Sequence, residues 1–256
     1  MRKRPDWTTI LGVLIGIGAV LGGHHLAEGT MRSLFSGTAF MIVVLGSFGA
    51  VLVATPRADV LRGLQGIGTA LFPPRRDLLD TRDRLLELAM IARREGLLAL
   101  EEVASRADTE VFLSRCLTQA IDGTNSTALR EIVGTDISID EQHAQAGARF
   151  WETWGSICPT IGVLGAVLGL IHAMKQIATP ADVGAGIAVA FVATVYGVGF
   201  SNLVCLPLAF KLRRMCQRER VRKSMVLEGV IGIQSGVAPG ALRNRLSVYA
   251  AEAADG

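Results

Sequence analysis

The chain has 256 residues, 50% of them hydrophobic and only 19% charged, with a formal net charge of +3. A mean hydropathy of +0.40 is too apolar for an ordinary soluble domain of this length and indicates a membrane protein. Its 29 glycines against 5% aromatic residues fit helices that pack through small side chains in lipid rather than a core built on large rings.

Residues 8–27 and 33–56 contain no Asp, Glu, Lys or Arg. At a rise of about 1.5 Å per residue, each run is long enough to cross about 30 Å of hydrocarbon, so two spans open the chain. Met1-Arg2-Lys3-Arg4 resembles the charged start of a signal peptide, but the apolar run behind it exceeds the usual signal core and no clear small-x-small cleavage site follows it before the second span. From Arg57 to Glu152 the chain turns charged and periodic. After Pro73-Pro74, Leu78, Leu85, Leu88, Ala89 and Ala92 recur at helical spacing, and Val111, Phe112, Cys116, Leu117 and Ala120 mark a second amphipathic helix. Asn125-Ser126-Thr127 offers caps for a third. Ser138-Ile139-Asp140-Glu141 matches a capping box and predicts a new helix start there, running through Trp151 and Trp154 into the next span, with both indoles at the membrane interface.

Residues 153–174 and 183–210 are again free of full charges and form a second hairpin. Arg2, Lys3 and Arg4 precede the first span, and Arg57, Arg62, Arg75 and Arg76 follow the second. Lys211, Arg213, Arg214, Arg218, Arg220, Arg222 and Lys223 follow the fourth. Their positions put both termini and the segment between spans two and three in the cytoplasm. A basic run directly after a span suits anionic lipid headgroups better than nucleic acid. The expected architecture is an all-α integral membrane protein with four transmembrane helices. Its parts are an N-terminal transmembrane hairpin (1–56), a helical cytoplasmic domain (57–152), a pore-side hairpin (153–210) and a helical cytoplasmic tail (211–256).

Chemistry is sparse. Cys116, Cys158, Cys205 and Cys216 stand singly, without C-x-x-C spacing or a nearby His, which argues against a disulfide framework or a metal site. There is no Walker loop, no G-x-S-x-G and no H-E-x-x-H, so neither an enzyme nor a cofactor is indicated. No span carries a carboxylate, although proton paths in membranes are usually marked by one. His24, His25 and His172 lie near span ends as interfacial polar residues. Small residues recur on span three (Pro159, Gly162, Ala166, Gly169, Ala173) and on span four (Gly186, Ala190, Thr194, Gly197, Ser201). Such stripes let helices approach closely, either within this hairpin or against a partner. Pro159 and Pro207 each interrupt a span and free a backbone carbonyl, which marks a kink or a mere bend.

Four separated strings carry a resemblance. CPTIGVLGAVLGLI (158–171) and GIAVAFVATVYGVGFSNLVCLP (186–207) resemble the third- and fourth-span signatures of MotA-type stator proteins of the MotA/PomA family, relatives of the ExbB/TolQ energisers. AMIARREGLLALE (89–101) and EGVIGIQSGVAP (228–239) resemble the family's cytoplasmic segments. The resemblance implies a proton-conducting subunit of the bacterial inner membrane that acts in flagellar rotation. It implies five copies around two copies of a MotB-like single-span partner carrying the ion-binding Asp, which fits the missing carboxylate. By the same resemblance Arg93 and Glu101, with Arg94 as the alternative to Arg93, meet the rotor protein FliG. Thr160, Ala166 and Thr194 lie on the ion pathway, and Pro159 and Pro207 support gating. Sodium-driven relatives such as PomA carry a threonine at the place of Ala166, so H⁺ is favoured over Na⁺. An ExbB/TolQ-like energiser of envelope processes is the alternative, for which three spans are expected rather than four.

Overall fold

The computed structural model describes residues 6–27, 34–73, 77–175 and 180–252. Arg2, Lys3, Arg4, Arg75 and Arg76, part of the orientation argument, lie outside the described residues, as does the start of the second span at Ser33. The described residues are helical apart from short connections, and no strand occurs among them. Helices Trp7–Leu26, Gly37–Ala54, Ser126–Lys175 and Val183–Gln234 are long and apolar enough to cross a membrane.

The chain divides into two compact units, 1–74 with 145–213 and 75–144 with 214–256. The first holds α1 (Trp7–Leu26), α2 (Gly37–Ala54, with a π-helical turn at Met41–Leu45) and α3 (Arg57–Leu71). It also takes the C-terminal part of α7 (Ser126–Lys175), then α8 (Pro180–Phe200) and a second π-helical turn, Ser201–Cys205. Helix α1 buries no residue, as befits a helix whose surroundings are lipid. Its first turn is tied down by polar contacts: Asp6 Oδ1 accepts from Thr8 N–H at 3.1 Å, and the Lys211 ammonium donates to the Asp6 carboxylate and the Thr9 hydroxyl. The Asp6 N–H donates to the Leu71 carbonyl at 2.9 Å. The start of span one, the end of α3 and the end of span four therefore meet at one end of this unit. The bond from Lys211, then that from Thr8, holds the Asp6 carboxyl well below the usual carboxylate range.

The two tryptophans at the start of span three face the protein interior. Trp151 and Trp154 are buried, and their indole N–H groups donate to Gly63 O (2.8 Å) and Ser47 Oγ (2.9 Å). With both polar tips satisfied inside, the rings pack with Phe48, Phe150 and Phe200. The expected helix start at Ser138 is corrected. Helix α7 runs unbroken from Ser126, capped by Asn125 Oδ1 accepting from Ala128 N–H at 2.8 Å. Ser138 is mid-helix and donates back to Gly134 O at 3.0 Å, the usual fate of a serine whose backbone already has its helical partners.

The second unit comprises α4 (Leu78–Glu95), α5 (Leu100–Ser105), α6 (Val111–Ile121), the N-terminal part of α7, most of α9 (Leu206–Gln234) and α10 (Pro239–Glu252). Its core is built on Leu85, Leu88, Leu100, Leu117, Leu129, Met225, Leu242 and Leu246. The amphipathic reading of 78–92 and 111–120 places these faces correctly except at Val111, which as the first residue of α6 is 83% exposed. Burial pushes the Cys116 thiol up to about 12, so it is an inert core residue. Arg222, expected in a basic run that meets headgroups, is only 3% exposed. Its guanidinium makes fork contacts to Glu110 (2.5 and 2.7 Å) and Glu219 (2.8 and 3.0 Å). Burial alone would lower its pKa, but the bonds from Glu219 and Glu110 prevail and raise it. Lys223 is likewise paired, with Asp140 at 2.7 Å, and the Arg220 guanidinium meets Glu141 at 3.2 Å.

Removing Arg222 leaves two carboxylates facing each other, so Arg222→Met is expected to cost about 3–5 kcal/mol. Arg222→Lys should cost less but not nothing, since one ammonium cannot serve both forks. The thermal midpoint of the detergent-solubilised protein orders the three as native, Lys, Met; a Met variant as stable as native would contradict the network's role.

Candidate functional site

In the first unit, spans three and four meet along the small-residue stripes. A Cβ added at Gly197 would stand 2.8 Å from the Cys158 carbonyl oxygen, 3.0 Å from Gly162 Cα and 3.3 Å from Pro159 Cα. Farther along, Gly169 lies against Ala190 and Gly186 against Ala173 at similarly short range. The two possibilities that the stripes left open are thereby separated: these glycines serve the approach of one chain's own helices. Ala166 and Thr194 lie just off this seam and are half-buried, while Thr160 is exposed. No hydrogen bond joins the three. Thr160 Oγ1 donates to Ile157 O at 2.7 Å and Thr194 Oγ1 to Ala190 O at 3.4 Å, each within its own helix, which leaves the oxygen lone pairs as acceptors.

Pro159 sits inside α7 without ending it. Its ring nitrogen has no hydrogen, so the carbonyl of Gly155, four residues back, lacks its helical donor. That carbonyl accepts instead from the buried Ser201 hydroxyl of span four at 2.6 Å. On the other side of the break, Ser47 of span two lies 3.1 Å from Cys158 Sγ and accepts from Trp154. Pro207 is exposed and stands two residues after the π-helical turn Ser201–Cys205, a wider turn that relieves the clash between the proline ring and the carbonyl four residues earlier. Both prolines thus stand where the helical ladder is rearranged. Ser47 and the two π turns escaped the reading of the sequence, and Ser201 entered it only as a small residue of the span-four stripe. The rule that Pro159 strands the Gly155 carbonyl was available, but not the identity of a donor that lies 46 positions away.

In the second unit, α4 ends at Gly96, whose φ of 88° is a left-handed value that suits glycine. Its N–H donates to Ala92 O at 2.9 Å, and the chain turns through Leu97–Ala99 into α5. The last turn of α4 thereby presents Arg93 and Arg94, and the first turn of α5 presents Glu101. Each charge suits the dipole of its helix end. Yet all three are exposed, and none forms an ion pair or side-chain hydrogen bond among the described residues, whereas the adjacent Glu102 is paired with Arg106 at 2.7 Å. Between them Leu98 is 71% exposed. Among the described residues no group of three or more His, Cys, Asp or Glu could hold a metal ion.

The MotA/TolQ/ExbB proton channel family matches residues 104–225, and the N-terminal domain of motility protein A matches residues 10–96. A motility protein A of Helicobacter pylori is 32% identical over 246 residues, 96% of this chain and 95% of that one. Among solved structures, that of C. jejuni MotAB superimposes with a TM-score of 0.90 at 29% identity, covering 95% of each chain. The flagellar MotAB stator complex of Bacillus subtilis does so with 0.87 at 31% identity, covering 95% of this chain and 96% of that one.

If the seam between spans three and four needs bare backbone, Gly197→Val should force the helices apart and cost at least about 1–3 kcal/mol. Gly199→Ala, two residues on, where a Cβ meets nothing within 4 Å, should be tolerated. Protein recovered from membranes, compared for the two variants, checks this; equal recovery at the native level would contradict it.

Proposed function

The chain belongs to the MotA/TolQ/ExbB proton channel family, in its motility protein A branch, and from that premise we propose how it works as a stator subunit of the bacterial flagellar motor. One chemical observation carries the reading. Residues 8–27, 37–54, 153–174 and 183–210 hold no Asp, Glu, Lys or Arg. A proton crossing hydrocarbon needs a titratable group on its way, so this subunit builds the walls and a partner brings the carboxylate. That partner is a single-span MotB-like protein with an intramembrane Asp, two copies of it surrounded by five copies of this chain in the inner membrane. Both termini, residues 57–152 and residues 211–256 face the cytoplasm; the meeting of Asp6, Leu71 and Lys211 at one end of the first unit supports a common side for these segments. Protonation of the partner's Asp changes the helix packing at Pro159 and Pro207, and the cytoplasmic charges push the rotor protein FliG. The four membrane-length helices and the motility relatives favour this over an ExbB/TolQ-like energiser of the envelope.

Arg93 and Glu101, with Arg94 beside them, form the rotor contact. They are exposed and without an ion pair among the described residues, and an exposed pair is worth only about 0–1 kcal/mol, which suits a contact that forms and releases at every step. Charge reversal at both, Arg93→Glu with Glu101→Arg, is expected to abolish swimming while the amount of protein in the membrane stays native. A double variant that swims normally would remove this assignment.

The coupling ion is H⁺. A dehydrated Na⁺ needs several converging oxygens, whereas a proton needs a carboxylate and water. Ala166 offers a methyl beside the seam, and the Thr160 and Thr194 hydroxyls are spread along the hairpin without a bond between them. One charge falling through 100 mV releases about 2.3 kcal/mol whichever ion moves, so ligand chemistry decides. In cells driven by this stator pair alone, swimming speed should be flat across a sodium series at fixed pH and vanish with a protonophore. Speed that follows external Na⁺ and survives the protonophore would overturn the reading.

A further inference from the structure

The gap that Pro159 leaves in span three is closed by a single side chain. Ser156, Thr160 and Thr194 of spans three and four donate to carbonyls of their own helix, as hydroxyls in membrane helices ordinarily do. Ser201 does not. Its Oγ crosses to span three and donates to Gly155 O at 2.6 Å, the carbonyl that Pro159 deprives of its donor. The bond is sheltered, since Ser201 is 1% exposed and the Gly155 backbone is pressed by Cys205 and Leu206 so closely that a Cβ there would meet them at 3.2 and 2.9 Å. Ser201 is also the first residue of the π-helical turn of span four, so the donor is presented from a place where that helix departs from regular geometry.

We infer that Ser201 is a positioning residue of the conducting hairpin: its hydroxyl supplies the hydrogen bond that Pro159 removes and so holds the break in span three against span four. The inference rests on the proposed role of Pro159 in gating. A regular helical bond is held by the chain on both sides and opens only if the helix unwinds. A hydroxyl on a neighbouring helix can leave the carbonyl and return by rotation about one side-chain bond, with both helices intact. The Gly155 carbonyl is too deep in apolar surroundings to be left without a donor at little cost, so the two packings of the hairpin differ by whether this bond is made. Nearby, Gly197 allows span four to lie against Pro159 and the Cys158 carbonyl, which keeps the serine within reach.

The test is a cycle on the complete stator with its partner, using Ser201→Ala, Ser201→Thr, Pro159→Ala and the Ser201→Ala/Pro159→Ala double variant. Stall torque, membrane abundance and the thermal midpoint of the purified complex are measured for each. Losing one sheltered hydrogen bond shifts the balance of the two packings by roughly tenfold. Ser201→Ala should therefore lose torque at native abundance and lower the midpoint, and Ser201→Thr, which keeps the hydroxyl, should restore both. In Pro159→Ala the new backbone N–H serves Gly155 itself, so adding Ser201→Ala should change neither torque nor midpoint further. Native torque in Ser201→Ala, or an equal drop in midpoint in both backgrounds, would overturn the inference. A Pro159→Ala stator with native torque would remove the gating role of the proline instead. The thermal cycle would then still decide whether residues 159 and 201 are linked: non-additive midpoints support the link, and additive ones overturn it.

Discussion

In hydrocarbon a backbone polar group without a partner costs several kcal/mol, and the conducting half of this chain is organised around that constraint. Regular helices meet it without help, which is why the spans can be built of little but small and aliphatic residues. Where the ladder is interrupted, a partner has to be brought from elsewhere. At Pro159 the stranded Gly155 carbonyl takes the Ser201 hydroxyl, and that reach is possible only because Gly197 and Gly162 let the two backbones nearly touch. The glycines, the proline and the serine are therefore one arrangement: each would be a liability in the absence of the others.

The same economy governs charge. The first unit keeps its ionic contacts outside the charge-free spans, as in the ties between Lys211 and Asp6 and between Arg213 and Glu152. The second unit buries Arg222 but surrounds it with two carboxylates, and joins Arg130 to Glu228 in the same manner. These buried charges are matched. Arg93, Arg94 and Glu101 around the Gly96 turn have no ion pair among the described residues and lie exposed with Leu98 among them.

Much of this was legible in the sequence because it depends on local properties. A run of about 20 residues without a full charge specifies a span whatever its neighbours are. Leu85, Leu88 and Leu117 announce buried faces by spacing, and Asn125 announces a helix start. The reading that failed at Ser138 has a plain cause: the residue type has a preferred local role that its surroundings overrode. Ser138 could not begin a helix that Asn125 had already begun, and the acceptors of the Trp151 and Trp154 indoles, Gly63 and Ser47, lie far along the chain. The π turns and the Ser201 bond were out of reach, because both depend on a neighbour far along the chain. Arg222 was miscounted for the same reason, since Glu110, 112 positions away, is invisible from the basic run that surrounds it.

The central claim is that this chain supplies the helical walls of a proton path but not the group that carries the proton. Its most direct measurement is the acidification of the cytoplasm, followed with a pH-sensitive fluorophore, in cells that produce the chain alone, the chain with its single-span partner, and the chain with a partner whose intramembrane Asp is replaced by Asn. The account predicts proton entry above background only with the native partner. Entry through this chain alone, or undiminished entry with the Asn partner, would contradict it.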